Sequence, residues 1–180
     1  MSDIEQIVTA FHTVRRYVYL SDGVRDPDVI EARRAGSCTG KHLVLRNRLR
    51  DMGFDAKVET VQGDFSAGIP PHSSMSPELR EMIRGEPVMD FHNFVRVEFG
   101  GRSIVLDATW HDEVAAYGFS VNADWNGDGD TRIALVPERS LGFSEDVISL
   151  KESSLESLDD AMKSRRLKFL KMLSEWIAKV

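Results

Sequence analysis

Cys38 is the only cysteine in the chain, and it stands in Gly36-Ser37-Cys38-Thr39-Gly40-Lys41, where an amphipathic helix begins. Downstream, His92 falls on the first strand of a β-hairpin pattern and Asp107 on the second. Cysteine is a soft nucleophile that can form a thioester, and histidine can take its proton and later give it to a leaving amine. A carboxylate beside that histidine fixes its tautomer and stabilises the imidazolium. Together these are the parts of a nucleophilic triad, provided the surrounding elements bring them to one place.

The helix at residues 38–52 puts Cys38, His42, Leu45, Leu49 and Met52 on one stripe, which turns the thiol inward. At a helix N-terminus the sulfur meets unpaired N–H groups and the positive end of the dipole, which favours thiolate. The Cys38 backbone N–H is then one candidate oxyanion donor. The strands at 91–99 and 103–109 join through Gly100-Gly101. A two-residue turn there sets Phe99 opposite Arg102, Val97 opposite Ile104 and Val95 opposite Leu106. One face becomes Val95, Val97, Ile104 and Leu106, a core face. The other carries His92, Phe94 and Asp107, and it makes His92 and Asp107 diagonal neighbours. The plain alternative is that Cys38 is a small buried hydrophobe and that the pairing with one of five histidines is fortuitous.

Other elements are expected around these. Apolar residues at Ile4, Ile7, Val8, Phe11, Val14 and Val18 predict a helix over 3–20. Asp26-Pro27-Asp28 predicts a short capped helix. Strands are expected at 58–61 and 133–136. Residues 62–90 read as an excursion with a short helix opened by Ser76-Pro77-Glu78, either a lid over the cleft or a passive insertion. A long helix over 154–180 would bury Leu155, Leu158, Met162, Phe169, Leu173, Trp176 and Val180.

A chain of 180 residues suits one domain, 1–180, with a core at about 36–110. A net charge of −6 argues against nucleic acid as a partner. No apolar run is long enough to span a membrane, and Met1-Ser2-Asp3-Ile4 does not read as a signal peptide. A single cysteine points to a reducing, cytoplasmic setting.

The blocks Gly36-Ser37-Cys38, Leu49-Arg50-Asp51-Met52-Gly53, His92-Asn93-Phe94 and Leu106-Asp107-Ala108-Thr109 resemble the pattern of the transglutaminase-like superfamily of papain-like thiol enzymes. The resemblance implies an α+β fold with helices packed on an antiparallel sheet. It also implies Cys38 as nucleophile, His92 as base and Asp107 as orienting acid. The reaction implied is acyl transfer or hydrolysis on an amide, without a cofactor, the substrate being a protein, a peptide or a small amide. The family also has inactive members, so a binding module for a peptide or protein partner stands as the alternative. Phe94 replaces a frequent tryptophan, and Lys41-His42 is polar where small or apolar residues are common.

Three further features admit two readings each. Asp124-Trp125-Asn126-Gly127-Asp128-Gly129-Asp130 matches the first half of an EF-hand loop, but Leu135 takes the place of the bidentate glutamate; an Asx- and Gly-rich turn explains it as well. Cys38 and His42 could begin a zinc site, yet the chain has no second thiolate; His42 packing beneath the active site or bonding a backbone carbonyl is the simpler expectation, and no metal is assigned. Lys163, Arg165, Arg166, Lys168 and Lys171 could meet a membrane surface or a partner, or form a solvated helix face.

Overall fold

Two consecutive left-handed glycines organise the centre of the molecule. In the computed structural model, which describes residues 1–180, Gly100 (φ 58°) and Gly101 (φ 76°) turn one strand tightly into the next. The strands are β4 (Met89–Phe99) and β5 (Arg102–Leu106), paired with Phe99 opposite Arg102, Val97 opposite Ile104 and Val95 opposite Leu106. This is the register the turn and the apolar alternation call for. Adding β3 (Ala56–Asp64) and β6 (Val136–Phe143) makes a four-stranded sheet of order β5-β4-β3-β6, antiparallel throughout. A separate parallel pair joins β1 (Val18–Tyr19) to β2 (Ala35–Gly36). The fold is α+β.

The helices follow from local chemistry. Helix α1 (Asp3–Arg15) opens with the Glu5 carboxylate accepting the Ser2 N–H at 2.7 Å. It stops well before residue 20, because Tyr17-Val18-Tyr19 is a β-branched and aromatic run that prefers extended backbone. Val18 is therefore exposed on β1 rather than packed on the helix stripe. Asp26 caps α2 (Pro27–Arg33) by accepting from Asp28 N and Val29 N at 2.9 and 3.1 Å. Helix α3 (Cys38–Asp51) is buried on all sides through its first two turns, and only its far end reaches solvent, where Met52 is exposed. Its stripe thus ends at Leu49.

Each face of the sheet has its own core. Val58, Val95, Val97, Ile104 and Leu106 pack with Leu45 and Leu49 of α3 and Phe11 and Val14 of α1. On the opposite face, Val61, Phe94 and Val105 pack with Phe65, Leu79, Phe169, Leu173 and Trp176.

Three expectations need correction. β3 continues through Asp64 and β4 begins at Met89, so the excursion comprises residues 65–88; it includes a 3₁₀ turn (Ser66–Gly68) and α4 (Pro77–Arg84). The last strand starts at Val136, not at Ile133, because the Ala134 N–H is spent on the Asp107 side chain and not on a ladder. The C-terminal segment is two helices, α5 (Val147–Glu156) and α6 (Asp160–Ile177). They break where Asp159 caps α6, accepting from Met162 N at 2.8 Å. Leu155 and Leu158 consequently lie before α6, and Met162 is exposed. No helix is long and apolar enough to cross a membrane.

Candidate active site

Cys38 is the first residue of α3 and is 5 % exposed. The glycines on either side of it explain the tight seat. A Cβ on Gly36 would lie 2.5 Å from Ile30 Cδ1, and one on Gly40 would lie 2.7 Å from Ile30 Cγ1, so α2 docks against the helix start only because both are glycine. Ser37, at the N-cap, makes no side-chain cap bond, and no acidic residue occupies the first turn. The positive end of the helix is left to act on the sulfur.

His92 and Asp107 do meet. Their closest atoms, His92 Nε2 and Asp107 Oδ2, are 2.6 Å apart, both side chains being fully buried. Asp107 is held from several sides: Oδ2 also accepts from Ala134 N at 2.7 Å, and Oδ1 accepts from Thr109 N at 3.0 Å. The Asp107 N–H donates to Thr131 Oγ1 at 2.7 Å. Burial alone would raise the Asp107 pKa, but His92 and the Thr109 bond keep it well below the usual carboxylate range. An ionised acceptor requires the proton on His92 Nε2. The other ring nitrogen, Nδ1, is buried with no hydrogen-bond partner.

Nδ1 is the nitrogen left for the thiol, and the two groups shift each other. Burial would push the Cys38 thiol up, but the Lys151 ammonium and the His92 imidazolium outweigh it and hold the thiol at about 6. Burial likewise pulls His92 down, and the Asp107 carboxylate and the Cys38 thiolate raise it to about 10. Both directions favour a thiolate–imidazolium pair. The imidazole is walled by aromatic rings: Phe65 stacks on it at 6.3 Å between centroids and Phe94 lies tilted at 6.4 Å. These rings keep water from the imidazole and limit its rotation.

Neighbouring polar residues hold the helix start in place. His42, one turn below Cys38, places Nδ1 2.7 Å from the Cys38 carbonyl oxygen, and its Nε2 accepts from Ala108 N at 2.8 Å. The second bond leaves the proton on Nδ1, so the ring is neutral; burial depresses its pKa to about 3. With both nitrogens committed, His42 is a strut and has no lone pair for zinc. Asn93 Nδ2 donates to Thr39 Oγ1 at 2.8 Å, and its Oδ1 accepts from Thr60 Oγ1 at 2.7 Å. Lys41 is wholly buried and donates to the carbonyls of Arg15, Tyr17 and Thr109 at 3.1, 2.6 and 2.8 Å.

Sequence reading missed a second ionic cluster beside the sulfur. Lys151 Nζ and Arg166 Nε both donate to Asp90 Oδ1, at 3.0 and 2.7 Å, and all three residues are buried. Lys151 also donates to the Phe91 carbonyl. Burial would raise the Asp90 pKa, but the two cations hold it far below the carboxylate range. One signal was present: Asp90, His92 and Phe94 alternate on one strand face. The position of Lys151 on α5 had no such signal, because its partner is 61 positions away.

The remaining candidates take structural roles. Asp130 Oδ1 accepts from Val105 N at 2.8 Å and Asn126 Oδ1 from Asp128 N at 3.1 Å, so the 124–130 loop is an Asx-rich turn with β6, not a helix, after it. No three His, Cys, Asp or Glu side chains converge on a point that could hold a metal ion. The basic residues of α6 do not form a uniformly solvated face: Arg166 is buried on Asp90, and Arg165 donates to the carbonyls of Met82, Glu86 and Pro87. The excursion contributes Phe65 to the histidine wall, and its Leu79 to the core.

Comparison with protein-family models, curated proteins and solved structures finds no match to this chain.

Proposed function

We propose that this protein is a thiol enzyme that transfers or hydrolyses an acyl group from an amide through a Cys38 thioester, on a transglutaminase-like, papain-like core. The observation that carries the reading is the state of His92: Nε2 is locked by Asp107, and Nδ1 is unpartnered in the charge field of Cys38.

The chemistry follows from those atoms. The Cys38 thiolate adds to the amide carbonyl, and the oxyanion that forms draws on N–H groups of the uncapped first turn of α3. The imidazolium gives its Nδ1 proton to the amide nitrogen, the C–N bond breaks and the amine leaves, with the acyl group on sulfur. Neutral imidazole then takes a proton from water or an amine as it attacks the thioester, which restores thiolate and imidazolium. Asp107 stays ionised throughout and orients the ring.

Screening the protein against a library of electrophilic amides tests the proposal. Turnover should be found, and Cys38→Ala should abolish it while the fold persists. Activity surviving in Cys38→Ala would overturn the assignment. One observation favours the second reading, a binding module: Cys38 lies in a narrow crevice beneath Ser21, Gly23 and Arg25. In that case the thiol would alkylate slowly, and only toward alkaline pH.

A further inference from the structure

The crevice at Cys38 has a volume of about 20 Å³, room for one water-sized group. An amide bearing an acyl chain does not fit, so one wall must move before any such substrate reaches the sulfur. The walls differ in what holds them. Apart from the N-cap Ser37, the sides and floor are buried residues of β1, β4, α3, α5 and α6. The remaining wall is Ser21, Gly23 and Arg25, from the irregular segment 20–26 between β1 and α2, in which no residue is buried.

Two ties draw that segment across the crevice. The Ser21 N–H donates to Ser174 Oγ of α6 at 3.2 Å, and Arg25 Nη1 donates to Glu152 Oε1 of α5 at 2.9 Å. The first is a single neutral bond and the second an ion pair whose carboxylate is 56 % exposed; both are weak ties. The α2 side is held harder. Asp22 takes two bonds from Arg33, at 2.6 and 3.1 Å, and fixes its own turn by accepting from Val24 N. Between the two ties Gly23 is left-handed (φ 86°), with open space where a side chain would be, so the backbone can pivot there without displacing a neighbour.

We propose that residues 20–26 form a strap that gates Cys38. Closed, it shuts the thiol away from substrate; it opens on its Asp22–Arg33 root when Ser21 leaves Ser174 and Arg25 leaves Glu152. The gate stands on these contacts alone, whereas its passing an acyl substrate rests on Cys38 being the nucleophile. Its competitor is a fixed cover that never opens.

Iodoacetamide labelling of Cys38, the only cysteine, followed by mass spectrometry, reads the opening. The reagent is neutral, and each form is measured on the plateau of its own pH profile, where the thiol is fully ionised. Glu152→Arg and Arg25→Glu each replace an attraction by a repulsion, and each should raise the plateau rate roughly two- to tenfold. The double exchange restores a pair of opposite charges and should bring the rate back to within about twofold of wild type. Charge acting on the sulfur alone would move the two single variants in opposite directions; that result overturns the proposal, as do unchanged rates or no labelling in any form. Should a charge variant not fold, Ser174→Ala decides: it removes the other tie without changing charge and should also raise the rate, and an unmoved rate rejects the gate. Activity surviving in Cys38→Ala would take away the acyl substrate and leave these labelling results as they stand.

Discussion

His42 Nε2 accepts the backbone N–H of Ala108 at 2.8 Å, and this bond fastens the helix of Cys38 to the strand end of Asp107. Cys38 and Asp107 therefore share one rigid link through a residue that takes no part in the proposed chemistry. Replacing it by Leu should leave the buried Ala108 N–H unmet, at about 1–3 kcal/mol. Urea unfolding of His42→Leu measures this; a midpoint equal to wild type would show that the strut is dispensable.

The neutral state of His42 also sets an acid limit. Its folded pKa of about 3, and about 4 for His111, where burial again dominates, lie below the unfolded value near 6.5. Between those limits the unfolded chain binds protons that the folded chain refuses. The stability these groups contribute is complete above pH 6.5 and drains away as pH falls toward 3–4, by about 1.4 kcal/mol per pH unit for each such histidine. Asp90 and Asp107, also depressed, add to the loss below about pH 4. Denaturant midpoints at pH 7, 5.5 and 4.5 should fall in that order. His42→Leu should show a shallower slope, and equal slopes would count against the neutral strut.

Cys38 should react as a thiolate in mildly acidic solution. Iodoacetamide labelling of the folded protein is expected to rise through an inflection at about 6, against about 8.5 for a free thiol. Lys151→Met and His92→Ala each delete a cation that favours thiolate, and each should move the inflection upward. If neither variant shifts it, the helix terminus alone sets the thiol and the pairing with His92 is wrong.

Asp107→Asn keeps one oxygen, enough for the Ala134 or the Thr109 amide but not both, and takes away the charge behind the imidazolium. Acyl transfer should fall roughly 10²–10⁴-fold, with circular dichroism unchanged. Near-normal turnover would mean that His92 is oriented by something else.

Lys41 is the sole donor between three backbone carbonyls that belong to the α1–β1 turn and to the segment after β5. Lys41→Met retains the stem and removes the donors, so leaving three carbonyls unmet should cost about 3–5 kcal/mol. Guanidinium unfolding would detect this, and a variant within experimental error of wild type would contradict it.

Local pattern was enough for much of this molecule. Gly100-Gly101 with the alternation Val95, Val97, Ile104, Leu106 determined the hairpin register, and that register alone put His92 and Asp107 on one face. Asp26-Pro27 and Gly53 marked helix ends because caps and left-handed turns are written in neighbouring residues. Boundaries failed where a distant partner outbid the local signal. Ala134 looked like strand, but Asp107 takes its N–H; residues 154–180 looked like one helix, but Asp159 caps a new one. The whole of α5 carried no periodic mark strong enough to announce it.

What the amino-acid order determined by itself was therefore the set of reactive types and the two elements that carry them, since turns, caps and apolar periods act over a few residues. Tertiary structure alone decided which polar side chains surround the sulfur. His42, Lys41, Asp90, Lys151 and Arg166 are buried polar groups, and each must find its partner across the fold because no water is there to serve instead. Apart from the His42–Cys38 bond, four positions long, those partnerships link residues 24 to 76 positions apart, where sequence spacing carries no message.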